Sequence, residues 1–223
     1  MKLGINWFDV LVIVLLIVGV FRGRKRGMSM ELLPLLQVLI IVVVGAELYE
    51  PLGKQLAASA GSAVNIVLSY IIVYVLFAIA VHLIFSRIKS AVGEKLVGSD
   101  VFGRMEYYFG MTAGMLRYAA IVIMGMALMN AQRIDHAAEA RNRKMQAENF
   151  GTISFPTFGS IQIDIFEKSR VGVFARDHLS QLLIEPTTPN TKGRSQNENI
   201  GKRKQRALEE AMGTATPPPA KKQ

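Results

Sequence analysis

The sequence contains the stretch Gly23-Arg24-Lys25-Arg26-Gly27-Met28-Ser29-Met30-Glu31 between two runs of apolar residues. Residues 7–21 include one charged side chain, Asp9, and residues 32–44 include none. Charged groups are costly inside hydrocarbon, so a stretch with three adjacent basic residues has to face water. It therefore predicts a short water-facing turn that joins two membrane-spanning helices.

The overall composition agrees with a membrane protein. Of the 223 residues, 51% are hydrophobic, and they are concentrated before Asn130. The net charge of +9 comes without the motifs of nucleic-acid-binding domains, so we expect no nucleic acid partner. Basic residues beside apolar spans more commonly set orientation and contact anionic lipid headgroups. The absence of cysteine excludes disulfides, thiolate nucleophiles and zinc sites with cysteine ligands.

Hydropathy predicts an all-α fold, an integral membrane bundle of four transmembrane helices. The predicted spans cover about residues 6–21, 31–48, 64–85 and 105–129, with a connector at 49–63 and a basic loop after residue 85. We assign residues 1–130 to this membrane domain.

The remaining residues form two predicted regions. Residues 131–185 are a helical extension, which begins as a continuation of the fourth helix and later contains two short helices separated at Gly172. Residues 186–223 are a disordered basic tail, rich in Thr, Pro, Asn, Gly, Lys and Arg.

Orientation follows from the Lys and Arg residues of the short loops. The loops after the first and third spans hold four each: Arg22, Arg24, Lys25, Arg26 and Arg87, Lys89, Lys95, Arg104. The connector holds only Lys54 and the N-terminus only Lys2. Both termini are therefore predicted to lie outside the cytoplasm. The basic residues at 133–144 favour the opposite location, in the cytoplasm, for the segment after the fourth span. They belong to a long segment, however, and the positive-inside rule acts weakly on long segments.

Two of the ionisable side chains within the predicted spans, Arg117 and His82, have more than one interpretation. Arg117 requires a partner at that depth, and the candidates are Glu106, Asp9 and Glu47. A structural ion pair is one interpretation of Arg117, and a place in a polar pathway is the other. His82 lies near the end of its span, where an interfacial histidine is the simpler interpretation than a proton relay.

Gly110 and Gly114 are spaced so that another helix can approach their backbone closely. Packing within the bundle is the simpler interpretation, and contact with a second copy or another membrane protein is the alternative. Asp9 is expected to cap or orient the first helix. The sequence shows no serine-hydrolase, P-loop or metal-ligand motif, so it predicts no catalytic, cofactor or metal site.

These residues resemble the colicin V production protein (CvpA) family of bacterial inner-membrane proteins. The family frame has an aspartate in the first span, a glycine-bracketed basic turn, a carboxylate four residues on, and a phenylalanine-glycine pair in the fourth span. The matching residues here are Asp9, Gly23, Lys25, Arg26, Gly27, Glu31, Asp100, Phe109, Gly110 and Gly114. Ala113 stands where the family usually has arginine, and Asp100 is two residues further from Phe109 than is usual.

The resemblance implies a non-enzymatic protein of the inner membrane, linked to colicin V production or secretion and more broadly to envelope homeostasis. Helix packing and partner contacts would carry that role. The alternative is a small channel or transporter subunit, with a polar path lined by Arg117, Tyr70, Tyr74 and His82.

Overall fold

The computed structural model describes residues 5–61, 64–97, 103–151 and 155–187, and every regular element in them is helical. The α-helices are α1 (Trp7–Ala60), α2 (Ile66–Val97), α3 (Glu106–Asn130), α4 (His136–Phe150), α5 (Phe158–Ile163) and α6 (Arg170–His178). A π-helical turn (Asp164–Lys168) follows α5, and short 3-10 turns occupy Gly103–Met105 and Ser180–Leu182.

Helix α1 is broken at Gly27, whose φ of 75° and ψ of 169° are not helical. Glycine adopts this positive φ without the steric penalty of other residues. We call residues 7–26 the first arm of α1 and residues 28–60 the second arm.

The two arms run in opposite directions along α3. In the first arm, Gly19 lies against Gly114 and Gly23 against Gly110, so the residue numbers on α3 fall as those on α1 rise. In the second arm, Glu31 pairs with Arg117 while Val42 packs with Ala120, further along α3. Helix α1 is therefore a hairpin that reverses at Gly27.

Helix α2 runs antiparallel to the second arm. The side chain of Tyr74 packs on Gly45, and His82 lies beside Gln37, nearer to the reversal. The arms, α2 and α3 thus alternate in direction. Among the residues that the structure describes, three helices are long and apolar enough to span a membrane: α1, residues 66–91 of α2, and α3. Only 28–33% of their most apolar windows is buried, so most of this apolar surface faces outward, as in a bundle surrounded by lipid.

The extension packs on the bundle end where α1 begins and α3 ends. Asn6 donates through Nδ2 to the carbonyl of Asp164 at 2.7 Å. Gln162 donates through Nε2 to the carbonyls of Met129 and Gln132, at 2.5 and 2.8 Å. Phe166 is buried in the same apolar core as the helices.

Helices extend into the predicted connector at 49–63 and into the predicted basic loop after residue 85. The second arm continues to Ala60 through the predicted connector, because that segment is rich in alanine and leucine and contains no glycine between Gly53 and Gly61. Helix α2 continues to Val97, so Arg87 and Lys89 lie on a helix.

The extension also differs from the prediction. Helix α4 is a separate helix, because Asp135 caps a new start by accepting hydrogen bonds from the amides of Ala137 and Ala138. The break before α6 falls at Ser169, whose side chain caps that helix, and Gly172 lies inside it. Asp100 lies outside the described residues, and so does the part of the predicted tail that follows residue 187.

Candidate functional site

A charge cluster of Arg26, Glu31 and Arg117 surrounds the reversal of α1. The Glu31 side chain is only 1% exposed, and its Oε2 accepts from Nη1 of Arg117 at 2.9 Å. Its Oε1 accepts from Nη1 of Arg26 at 3.2 Å. One carboxylate is therefore held by two guanidinium groups, and it joins both arms of α1 to α3.

The predicted partners of Arg117 were wrong. The structure pairs Arg117 with Glu31, 86 residues earlier in the chain, because the hairpin brings the start of the second arm beside α3. Of the candidates, Glu106 instead lies against Gly27, where an added Cβ would come within 2.8 Å of its side chain. Asp9 lies toward the opposite end of α3, in contact with the extension. The sequence does show a carboxylate, Glu31, directly after the basic turn. Only the chain reversal brings Glu31 beside Arg117.

A glycine interface lets the first arm and α3 touch along their backbones. A Cβ at Gly110 would come within 2.5 Å of the carbonyl oxygen of Gly23. A Cβ at Gly114 would collide with the carbonyl of Gly19, and one at Gly23 with the carbonyl of Gly110. The face formed by Gly110 and Gly114 is thus covered within the same chain. Sequence reasoning missed Gly19, although Gly19, Gly23 and Gly27 follow one another at four-residue intervals, which was a usable signal.

Asp9 connects the start of α1 to the start of α6. Its Oδ2 accepts from the backbone amide of Asn6 at 3.0 Å, which completes a capping box at the start of α1. Its carboxylate also accepts from the amides of Arg170 at 3.3 Å and Val171 at 3.0 Å. A buried aspartate therefore serves two helix starts, whose free amides favour a negative charge.

The other residues singled out in the sequence lie apart from this cluster. His82 is on an exposed face of α2, and its Nδ1 lies 3.0 Å from Nε2 of Gln37. Lys25 and Phe109 are exposed, near the end of the first arm and the start of α3. Tyr74 is buried against Gly45, and Tyr70 against Gly53. The structure thus does not gather Arg117, Tyr70, Tyr74 and His82 at one point.

The arrangement is suited to holding helices together. Within the described ranges, no group of three or more His, Asp or Glu residues could hold a metal ion. Three buried polar side-chain atoms there lack a hydrogen-bond partner: Ser29 Oγ, Tyr74 OH and Arg117 Nε.

Helix α4, which lies outside the spans, begins at an aspartate cap, Asp135. The amides of Ala138 and Ala137 donate to the Asp135 carboxylate and hold its pKa below the ordinary value of 3.8. The cap is therefore charged at neutral pH.

A protein-family model described as "Colicin V production protein" matches residues 8–147. Comparison with curated proteins and with solved structures gives no match. The matched region contains the charge cluster, the glycine interface and Asp9, and it ends within α4.

Proposed function

Because this chain belongs to the colicin V production protein family, we propose that it is a multi-pass protein of a bacterial inner membrane that acts in colicin V production or secretion, or more broadly in envelope homeostasis. Its role is non-enzymatic and depends on helix packing and on contacts with other membrane proteins. The observation that carries the proposal is the match over residues 8–147, which includes all the helices apolar enough to span a membrane among the described residues.

The geometry of the matched residues supports a packing role. Gly23, Gly110 and Gly114 bring two helices into backbone contact, and Glu31 is enclosed between two arginines. Asp9 attaches the extension to the bundle. These residues make contacts inside the chain, so the surface left for a partner is the outward apolar face, with side chains such as Leu76 and Leu83.

The proposed topology has four crossings, one for each arm of α1 and one each for α2 and α3. The first arm would be about 30 Å long at 1.5 Å per residue, close to the thickness of the hydrocarbon core. The end of the bundle at Gly27 carries Arg22, Arg24, Lys25, Arg26, Arg87 and Lys89. The positive-inside rule therefore supports a cytoplasmic location for this end, and an external location for the extension and both termini.

A deletion experiment tests the role in toxin production. In a host that exports colicin V, removing the gene should lower the amount of toxin outside the cell, and the unaltered gene should restore it. A Gly114→Leu variant should fail to restore export because the glycine interface cannot form, while Gly125→Leu should restore it because a Cβ at Gly125 meets open space. Unchanged export after deletion would contradict the role in colicin V production or secretion.

Photo-crosslinking in native membranes tests the partner contact. A photoreactive residue at the exposed position Leu83 should capture a neighbouring membrane protein, whereas one at the fully buried Ala127 should not. Equal labelling from both positions would argue against a specific partner face.

The second candidate function is a channel or transporter subunit. It is favoured by the buried Nε of Arg117, which lacks a hydrogen-bond partner. Vesicles reconstituted with the purified protein should then show an ion or solute flux that Arg117→Ala abolishes while assembly is preserved. Absence of flux with the unaltered protein would remove this candidate.

A further inference from the structure

An open groove lies between the end of the first arm and the start of α3. Its volume is about 650 Å³, and it is lined by Phe21, Arg24, Lys25, Tyr107, Tyr108 and Met111. We call it the headgroup groove. The three residues from α1 share one helix face, since they are three and four positions apart.

The two cations of this groove are not neutralised by described residues. Arg26 is paired with Glu31, but Arg24 and Lys25 are exposed and form no ion pair with any described side chain. Two free positive charges beside two exposed tyrosines provide sites for an anionic group that accepts hydrogen bonds.

A second groove lies next to the first along the first arm and α3. It is wholly apolar, with a volume of about 380 Å³, and is lined by Ile13, Leu16, Ile17, Val20, Phe21 and Met115. We call it the acyl groove. Phe21 lines both grooves, so the two adjoin each other along the outer face of α1 and α3, and we call them together the path. From Ile13 to Arg24 this path is about 16 Å long at the helical rise of 1.5 Å per residue.

The position of the path in the bundle matches the position of a lipid. Trp7 lies at the opposite end of the first arm, about 26 Å from Arg24 along the helix. That distance is close to the thickness of the hydrocarbon core, so Trp7 and the headgroup groove lie at opposite interfaces. The charged groove is then at headgroup level, and the acyl groove extends into the hydrocarbon.

We propose that this path binds one anionic phospholipid, with its phosphate and headgroup against Arg24 and Lys25 and one acyl chain in the acyl groove. The combination of two free cations and an adjoining apolar groove fits an amphiphile, whereas free phosphate would use only the charged part. The inference rests on the membrane placement proposed above. A protein that inserts with four crossings but binds no lipid here would fail this inference alone.

Lipid retention by the purified full-length protein tests the proposal. The protein is exchanged into detergent with equal amounts of phosphatidylglycerol and phosphatidylcholine, and bound lipid is counted by native mass spectrometry. The unaltered protein should retain phosphatidylglycerol preferentially. Arg24→Gln/Lys25→Gln should lower its retention about fivefold or more, since each basic residue near the surface contributes measurably to anionic-lipid binding. Ile17→Trp should lower it similarly by filling the acyl groove.

The matched control is Arg22→Gln/Arg87→Gln, which removes two exposed charges near the same end of the bundle but outside the groove. It should retain phosphatidylglycerol at the unaltered level. Equal retention of the two lipids, an equal loss in the control, or full retention by Ile17→Trp would each overturn the proposal. Complete displacement of the lipid by inorganic phosphate would also overturn it, because the acyl groove would then contribute nothing.

Discussion

Glu31 is the residue on which the closure of the bundle depends. It is buried between Arg26 of the first arm and Arg117 of α3, so a single carboxylate connects the two sides of the reversal to a third helix. Removal of one member of a buried ion pair leaves an uncompensated charge, which costs more than the pair itself contributes.

Replacing Glu31 with Gln should therefore lower the free energy of unfolding by about 3 kcal/mol, because Arg117, which is largely shielded from solvent, loses its anionic partner. Thermal denaturation of the purified protein in detergent measures the change. Glu50→Gln is the matched control, since Glu50 pairs with Lys54 on the surface and exposed pairs contribute less than about 1 kcal/mol. Equal midpoints for the two variants would contradict the assigned role of Glu31.

Two glycines of α3 offer a direct comparison at the same scale. Gly114→Ala should destabilise the bundle because the new Cβ collides with the backbone of Gly19. Gly125→Ala adds the same methyl group in open space, and it should be neutral or stabilising by up to about 1 kcal/mol through helix propensity. Unfolding in denaturing detergent measures both variants. Matching losses at the two positions would show that the glycine interface is not needed.

At the scale of elements, the attachment of the extension depends on Asp9. Its carboxylate accepts from the first amides of α6 as well as from Asn6, so the start of α1 and the start of α6 share one charge. Hydrogen bonds to charged groups are among the stronger ones in proteins.

Asp9→Ala should loosen α6 without unfolding the helices of the bundle. Hydrogen exchange of the amides at 170–175 should accelerate about tenfold or more, because the loss of one charged hydrogen bond is worth about 1.5 to 3 kcal/mol. Asp177→Ala, at the exposed end of the same helix, provides the control. Unchanged exchange in the Asp9 variant would show that α6 is held by its apolar contacts alone.

Helix α4 should respond to acid through its own cap. The folded-state pKa of Asp135 is lowered, so the cap stabilises α4 above the ordinary value of 3.8, and this contribution is lost as the pH falls through the lowered pKa. Amide protection at the start of α4 should decline over that acidic window. Asp135→Asn keeps a capping side chain that does not titrate, so its protection should lose this pH dependence. The same acid response in both proteins would exclude Asp135 as its source.

At the scale of the whole molecule, local patterns predicted the helical fold and the family, and failed where distant segments meet. The apolar runs and the glycine-bracketed turn indicated spans, because hydropathy and turn propensity are local properties. The Glu31 and Arg117 pair was missed because it depends on the direction of the second arm along α3. The role of Asp9 at α6 was missed for the same reason, since 162 residues separate it from Val171.

The helix ends show a further limit of sequence reasoning. The positive charges of residues 87 and 89 led to the prediction of a loop there. However, a polar surface alone does not end a helix in water, and α2 continues through both residues. In contrast, Gly27 ends one helical arm by its backbone conformation, and a glycine in a basic turn could be recognised from sequence.

The central claim is that α1 reverses at Gly27 and crosses the membrane twice, with its basic turn in the cytoplasm. The chain has no cysteine, so single cysteines can be introduced at exposed positions without other changes. The most direct measurement is labelling of Ile5→Cys, Met30→Cys and Gln55→Cys in intact cells with a maleimide that does not cross the inner membrane. We predict that residues 5 and 55 are labelled from outside and that residue 30 is labelled only after the membrane is permeabilised. Labelling of residues 5 and 55 from opposite sides would contradict the hairpin, and external labelling of residue 30 would contradict the orientation.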